Sequence, residues 1–341
     1  MKVSRNRVIL SINSSPICEI GPDLNPVLSN LLAPPILFFF LGVFATLVRS
    51  DLEVPSPLPR LFSLYLLLSI GFRGGAELAH SDPEHSALAL LAAVSLACLL
   101  PLWMFFVLRR RLPNADAAAV AATYGSVSAV TFVTASAFLE RQHIQSSGFM
   151  VAALAVMESP AIVIGVILAR RFGDNAALDW KHLLKDAFLN GSVVLLLGSL
   201  LIGSVTTTAG SDSVKPFISG LFPGMLCFFL LDMGMVAAKR LRTIREAGLF
   251  VILFALIAPL INAAIAMAVA WVMRLPEGDA FLLTTLAASA SYIAVPATMR
   301  LAVPEARPSL YLPMALGITF PFNIVLGLPL YLSAIEYFWR K

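Results

Sequence analysis

From about residue 26 onward, apolar runs too long and too evenly hydrophobic for one face of a soluble helix alternate with short polar loops. At about 20 residues per span, ten helices fit. They fall at about 26–48, 59–79, 84–108, 114–140, 147–170, 187–205, 215–237, 246–273, 278–303 and 308–335. The expected fold class is therefore an all-α polytopic membrane protein. Residues 1–25 carry Lys2, Arg5 and Arg7 but only the short apolar run Val8-Ile9-Leu10. This is too short and polar for the core of a signal segment, and it reads as a disordered extracytoplasmic tail.

Two runs are interrupted by polar residues. In span 4 the interruption is Thr123-Tyr124-Gly125-Ser126-Val127-Ser128-Ala129-Val130-Thr131; in span 9 it is Ser289-Ala290-Ser291-Tyr292-Ile293-Ala294-Val295-Pro296. The Ser-x-Ser pairs Ser126/Ser128 and Ser289/Ser291 can be laid over one another. Lipid leaves no partner for a free peptide group, so a broken helix at membrane depth must line a cavity or be buried in protein. Two such breaks at matching places in two halves of a chain point to a transporter's substrate site. The half-helices would offer free N–H groups at their positive ends to an anion and free carbonyls at their negative ends to a cation. Ser126, Ser128, Thr131, Ser289, Ser291 and Thr298 add hydroxyls, and Pro296 suits a first helical turn. Small hydroxyl residues also serve plain helix packing, but two sets in register beside Gly125 and Pro296 favour a site.

Charge orients this arrangement. Arg49 and Arg60, Arg109 to Arg111, Arg170, Arg171, Lys181 and Lys185, Lys239 to Arg245, and Arg300 and Arg307 all fall in alternate loops. The intervening loops hold only Arg141, Lys215 and Arg274 among the basic residues. The positive-inside rule then puts the basic loops in the cytoplasm and both termini outside. This sorting accounts for the net charge of +4 without a nucleic-acid partner. With 59% hydrophobic and 13% charged residues, no length remains for a soluble catalytic domain. Cys18, Cys98 and Cys227 are isolated, the four histidines are scattered near loops, and no nucleotide-binding or nucleophile motif is present.

Five spans per half would place the second half upside down relative to the first, giving repeats over 26–172 and 186–338. Gly71-Phe72-Arg73-Gly74-Gly75 sets against Leu230-Leu231-Asp232-Met233-Gly234, putting Arg73 opposite Asp232, and Pro160 of span 5 matches Pro321 of span 10. Ionisable residues inside spans face the bundle interior or serve function. Glu158, beside Pro160, is the candidate cation ligand, Arg73 and Asp232 could neutralise one another across the pseudo-two-fold axis, and Glu77 lies near a span end.

These motifs, in order, resemble the sodium-dependent bicarbonate transporter family (SbtA-like permeases). They are Gly71 to Leu78, Gly125 to Thr131, Met157-Glu158-Ser159-Pro160-Ala161, Leu230 to Gly234 and Ser289 to Pro296, followed by Pro308-Ser309-Leu310-Tyr311. The resemblance implies a five-plus-five inverted repeat with a core domain of crossing broken helices and a gate domain, both interleaving the two repeats. It further implies a homotrimer in the bacterial inner membrane that imports bicarbonate or a similar small anion with sodium, with a PII-like regulator at the cytoplasmic face. Carried onto this chain, the anion would lie among Gly125, Ser126, Val127, Ser128, Thr131, Ser289, Ser291, Tyr292, Ile293 and Ala294, with Gly74 and Gly75 nearby. Sodium would be held by Ser128, Glu158, Ser291 and Tyr292. Tyr292 is a departure, since cyanobacterial members carry an aspartate there; a phenol of reference pKa about 10 brings no charge at pH 7, and Glu158 is left to supply it. The runner-up is a cation/proton antiporter of the same architecture, using Glu158 or Asp232. An intramembrane enzyme would need a nucleophile with its base or paired carboxylates around a metal, and the spans offer neither.

Overall fold

The computed structural model describes residues 26–55, 57–78, 83–173, 189, 191–244 and 248–339. The predicted tail at 1–25, and Lys181, Lys185 and Arg245 of the basic loops, lie outside the described residues. Within them the chain is helical, with no strand.

The first half runs α1 (Pro26–Leu31), α2 (Pro34–Leu47), α3 (Pro57–Leu78), α4 (Pro83–Leu108), α5 (Asn114–Gly125), α6 (Ala129–Arg141) and α7 (Phe149–Phe172). The second runs α8 (Gly191–Val205), α9 (Thr208–Lys215), α10 (Phe222–Ile244), α11 (Leu249–Val272), α12 (Glu277–Ala288), α13 (Ala294–Ala302) and α14 (Pro308–Trp339). A π-helical stretch, Pro216–Gly220, precedes α10, and two more, Met314–Thr319 and Asn323–Gly327, flank Pro321 inside α14. Proline begins α2, α3, α4 and α14, where its missing N–H has no helical partner to lose. Seven stretches are long and apolar enough to cross a membrane, while α2 and α8 are shorter apolar helices. The α12–α13 segment is interrupted at residues 289–293. The protein is a polytopic membrane protein.

Two parallel helix pairs form one side of the molecule, α2 against α10 and α3 against α8. Glycine sets their closeness. A Cβ at Gly42 would overlap the Leu231 carbonyl oxygen, and one at Gly234 the Phe39 oxygen. In the other pair, Gly75 meets the Leu200 oxygen and Gly203 the Phe72 oxygen in the same way. Only backbone without side chains can approach so nearly. On the other side, α5 is buried between α4 and α7, and α12 packs on α11 and α14. There too a contact decides a residue: the Gly125 position faces the ring of Pro101 in α4 and has no room for a side chain.

The half-helices α5 and α12 start alike. Each follows a proline, Pro113 or Pro276, and carries an aspartate three residues on, Asp116 or Asp279. A carboxylate there complements the positive helix end. Both are buried, and each fixes the loop leading into another span. Asp116 accepts from the Arg307 backbone N–H at 2.8 Å and its Nε at 2.9 Å, while Asp279 accepts from the Ser147 N–H at 2.6 Å and Oγ at 2.7 Å. The Asp116 carboxylate also holds the Arg307 guanidinium above its ordinary range.

One expected pairing is absent. Arg73 forms an ion pair with Glu140 of α6 rather than with Asp232, so no charge is neutralised between α3 and α10 in the manner expected. The reason is reach: both Arg73 and Glu140 line a cavity between α3 and α6, while Asp232 is buried on α10.

Candidate functional site

Both interrupted helices end in extended backbone at serine: α5 at Ser126 (φ −88°, ψ 175°) and α12 at Ser289 (φ −82°, ψ 172°). The two breaks touch. The Ser128 N–H donates to Ser289 Oγ at 2.8 Å, and the Ser291 N–H donates to the Thr123 carbonyl at 2.8 Å. Each break therefore satisfies a peptide group of the other, which is how irregular backbone is tolerated at this depth.

Three carbonyls at the ends of α5 and α12 already accept hydrogen bonds. Besides Thr123, the Tyr124 oxygen accepts from Asn262 Nδ2 at 3.3 Å and the Ala288 oxygen from Asn323 Nδ2 at 2.8 Å. Asn262 is in turn held by Trp103 Nε1 and Asn323 by the Tyr331 hydroxyl. Nothing along the chain signals this, because an asparagine on another span has no local relation to the carbonyl it caps.

The hydroxyls divide into two groups. Those of Ser126, Ser289 and Thr298 donate to the carbonyls of Glu158 (3.0 Å), Leu286 (2.7 Å) and Ala294 (3.2 Å). Ser128 Oγ accepts from the Thr131 N–H at 3.2 Å, capping α6, and Ser291 Oγ accepts from the Val295 N–H at 3.4 Å. An acceptor keeps its own proton, so Ser128 and Ser291 are left able to donate elsewhere.

A narrow cavity of about 20 Å³ lies at the crossing, lined by Ser63, Leu67, Val127, Ser128, Ala129, Val130, Glu158, Ser192, Ser291, Tyr292, Ile293 and Ala294. The expected sodium ligands Ser128, Glu158, Ser291 and Tyr292 all line it. So do Val127, Ile293 and Ala294 of the expected anion set. Others do not. Gly74 lines a different cavity and Gly75 is packed on α8. Gly125 lies against Pro101, and Ser126, Thr131 and Ser289 are buried outside the lining. Pro160 sits within α7, Pro321 within α14, and Pro296 in the first turn of α13, where no N–H is missed. Sequence reasoning overlooked Ser63 and Ser192, whose only signal was a hydroxyl in an apolar run, and Ala129 and Val130, which contribute backbone.

Two kinds of donor and one carboxylate face this space. The N–H groups of Ala129, Val130, Ile293 and Ala294, at the starts of α6 and α13, donate to no partner among the described residues. They point to an anion site, since first-turn amides lack helical acceptors and sit at the positive end of the dipole. Glu158 is buried and is the one carboxylate lining the cavity. Tyr292 Oη lies near the Ser128 hydroxyl but makes no hydrogen bond of proper geometry and is fully buried. Among the described residues no three His, Cys, Asp or Glu side chains gather as for a transition metal. An oxygen-only donor set of one carboxylate and several hydroxyls suits a hard cation instead.

The crossing cavity adjoins a larger one of about 670 Å³. Ser63, Ser192, Tyr292, Ile293 and Ala294 belong to both, and the larger is bounded by Arg60, Phe229, Thr298 and Leu316. No curated protein matches this chain. A family model does, over residues 34–336, and with that match the chain belongs to the Na+-dependent bicarbonate transporter superfamily.

Proposed function

We propose that this protein imports bicarbonate, or a similar small monovalent anion, by sodium symport through alternating access around the crossing of α5–α6 with α12–α13. The single observation that carries the reading is the meeting of the two breaks around one cavity that holds unpaired helix-start amides and one carboxylate. The amides of Ala129, Val130, Ile293 and Ala294, with the Ser128 and Ser291 hydroxyls, bind the anion. Sodium is held by Glu158 with oxygens of Ser128, Ser291 and Tyr292. Neither charge is comfortable alone in a low-dielectric setting, and each lowers the cost of the other, which gives coupling a physical basis.

The architecture we infer is about ten spans in a five-plus-five inverted repeat over 26–172 and 186–338. Three correspondences support it. Gly42 and Gly234 at the α2–α10 crossing repeat as Gly203 and Gly75 at the α3–α8 crossing. The aspartates after Pro113 and Pro276 anchor matching loops, and both breaks open at serine. In this reading α2, α3, α8 and α10 form a gate domain and the crossing helices a core. Both termini are extracytoplasmic, the membrane is the bacterial inner membrane, and the assembly is a homotrimer open to a PII-like regulator.

The test is uptake of labelled bicarbonate into proteoliposomes containing the purified chain. Uptake that requires an inward sodium gradient is expected. Uptake indifferent to sodium would sink the coupling, and the absence of uptake would sink the substrate. If the proteoliposomes take up no bicarbonate but exchange sodium for protons, the antiporter reading takes its place.

A further inference from the structure

A second cavity, of about 610 Å³, lies farther along α3 and is not connected to the crossing. It is lined by Arg73, Glu77, Glu140, His143, Gln145 and Ser147, with Ile70 and Phe132 at its base. We propose that it is the opposite mouth of the transport path, shut from the crossing by an apolar layer of Ile70 and Phe132 and latched by the Arg73–Glu140 ion pair. The proposal rests on the alternating-access reading above.

Helix α3 serves as the ruler. Ser63 and Leu67 line the crossing cavity and Ile70, Arg73 and Glu77 the second one. At about 1.5 Å of rise per residue, Leu67 and Ile70 are separated by only about 4.5 Å along the axis. Helix α6 repeats the pattern: Ala129 and Val130 line the crossing cavity, and Phe132 and Ser136 the second. The barrier is therefore about one helical turn thick on both walls. It is also dry, with Ile70 4% and Phe132 1% exposed. The other end of the crossing cavity has no such layer, since five residues are shared with the space beyond. The two ends thus differ as an open and a closed end of one path should.

Directly past the layer, Arg73 of α3 pairs with Glu140 of α6, and its guanidinium also rests over the Phe222 ring of α10, 5.7 Å from the centroid. The pair joins α3, which is packed on α8, to α6, which descends from the break. It is part-exposed, at 30% and 47% of the two side chains. A weakly held pair suits a contact that must release in each cycle. Opening needs α3 to part from α6 and to slide on α7, which it meets closely at Gly74 and Gly148, and the polar walls already in place would then reach the crossing.

The experiment uses the full chain with Cys18, Cys98 and Cys227 replaced by serine and single reporter cysteines labelled by a membrane-impermeant maleimide. Ser136→Cys, in the second cavity, is expected to label from the face that carries His143. Ser63→Cys, at the crossing, is expected to label from the Arg60 face and to be protected from the other. Adding Arg73→Gln or Glu140→Gln should raise labelling of Ser63→Cys from the His143 face by about fivefold, the shift an exposed pair can give. The swap Arg73→Glu with Glu140→Arg should restore protection. Labelling from the Arg60 face reports that each variant is folded. The proposal is overturned if Ser136→Cys is not reached from the His143 face, if Ser63→Cys is reached equally from both faces, or if the swap protects no better than the single changes. Labelling needs no transport, so a chain that passes and moves no bicarbonate would sink the proposed function alone.

Discussion

Between α5 and α6 the break spans residues 126–128, and Ser128, in extended conformation, caps the next helix through the Thr131 amide. Between α12 and α13 it spans residues 289–293, and Ile293 enters the helix at φ −114° and ψ −65° with no side-chain cap. The first break is braced on protein at three points, Ser126 on the Glu158 carbonyl, Ser128 on Ser289 and Gly125 on Pro101, and turns Val127, Ser128, Ala129 and Val130 toward the crossing cavity. The second is two residues longer, and it holds Tyr292, whose hydroxyl has no hydrogen-bond partner among the described residues, and Ile293, 51% exposed beside the larger cavity. Two segments with the same serine signature thus divide the labour, the first offering its amides and the Ser128 hydroxyl from a braced scaffold and the second adding a longer wall that faces the open cavity.

The largest effect should come from Glu158, which sits on the scaffold side but lines the cavity with Tyr292. Glu158→Gln keeps the shape and removes the charge. Losing one member of a buried charge pair costs about 3 kcal/mol or more, which is roughly a hundredfold in sodium affinity. Sodium-driven uptake at millimolar sodium should therefore be abolished, while the detergent-solubilised protein keeps its melting temperature. Retained sodium dependence would place the cation elsewhere and remove the link between the two breaks.

The next effect separates the breaks by stability. Asn323 caps the Ala288 carbonyl at 2.8 Å and is braced by Tyr331; Asn262 reaches the Tyr124 carbonyl at the longer 3.3 Å. Replacing either by alanine leaves a buried acceptor unpaired, at about 1–3 kcal/mol. Both asparagines are braced, Asn262 by Trp103 at 3.1 Å and Asn323 by Tyr331 at 2.8 Å, so the shorter bonds predict the larger loss for Asn323→Ala, read as the greater fall in melting temperature. Equal falls would mean that the two helix ends are held with equal firmness.

These asparagines also mark where the sequence stopped being legible. The spans and the two breaks could be read because hydropathy and a Ser-x-Ser inside an apolar run are local signals. The glycines could be read as close-packing residues, but not assigned to partners, since Gly75 meets Leu200 and Gly234 meets Phe39 only once the helices are arranged. Asp116 and Asp279 were overlooked because each stands just after a loop proline, where an acidic residue looks like ordinary helix-start chemistry. The pairing of Arg73 with Glu140 went unseen for the opposite reason: repeat alignment suggested Asp232, and the cavity that brings α6 near α3 has no signature along the chain. Donor amides at the helix starts could be expected from the breaks, but not assigned to Ala129 and Val130, because any residue type provides them.

The smallest predicted effect is the sharpest test of which break works. In the absence of solute Tyr292 Oη is buried without a hydrogen bond, an arrangement that costs stability. Tyr292→Phe removes the oxygen and nothing else. If the hydroxyl is idle, the variant should melt higher and transport unchanged. If it donates to the anion or lends a lone pair to sodium, the same variant should melt higher yet bind its solutes more weakly. A single hydrogen bond of about 1 kcal/mol corresponds to roughly a fivefold rise in KM, with the maximal rate little altered. Opposite signs in stability and affinity are what a group held ready for a ligand produces, because the protein bears the cost of the unmet hydroxyl until the ligand meets it. Matched losses in both would instead make Tyr292 a packing residue, and the second break a scaffold like the first.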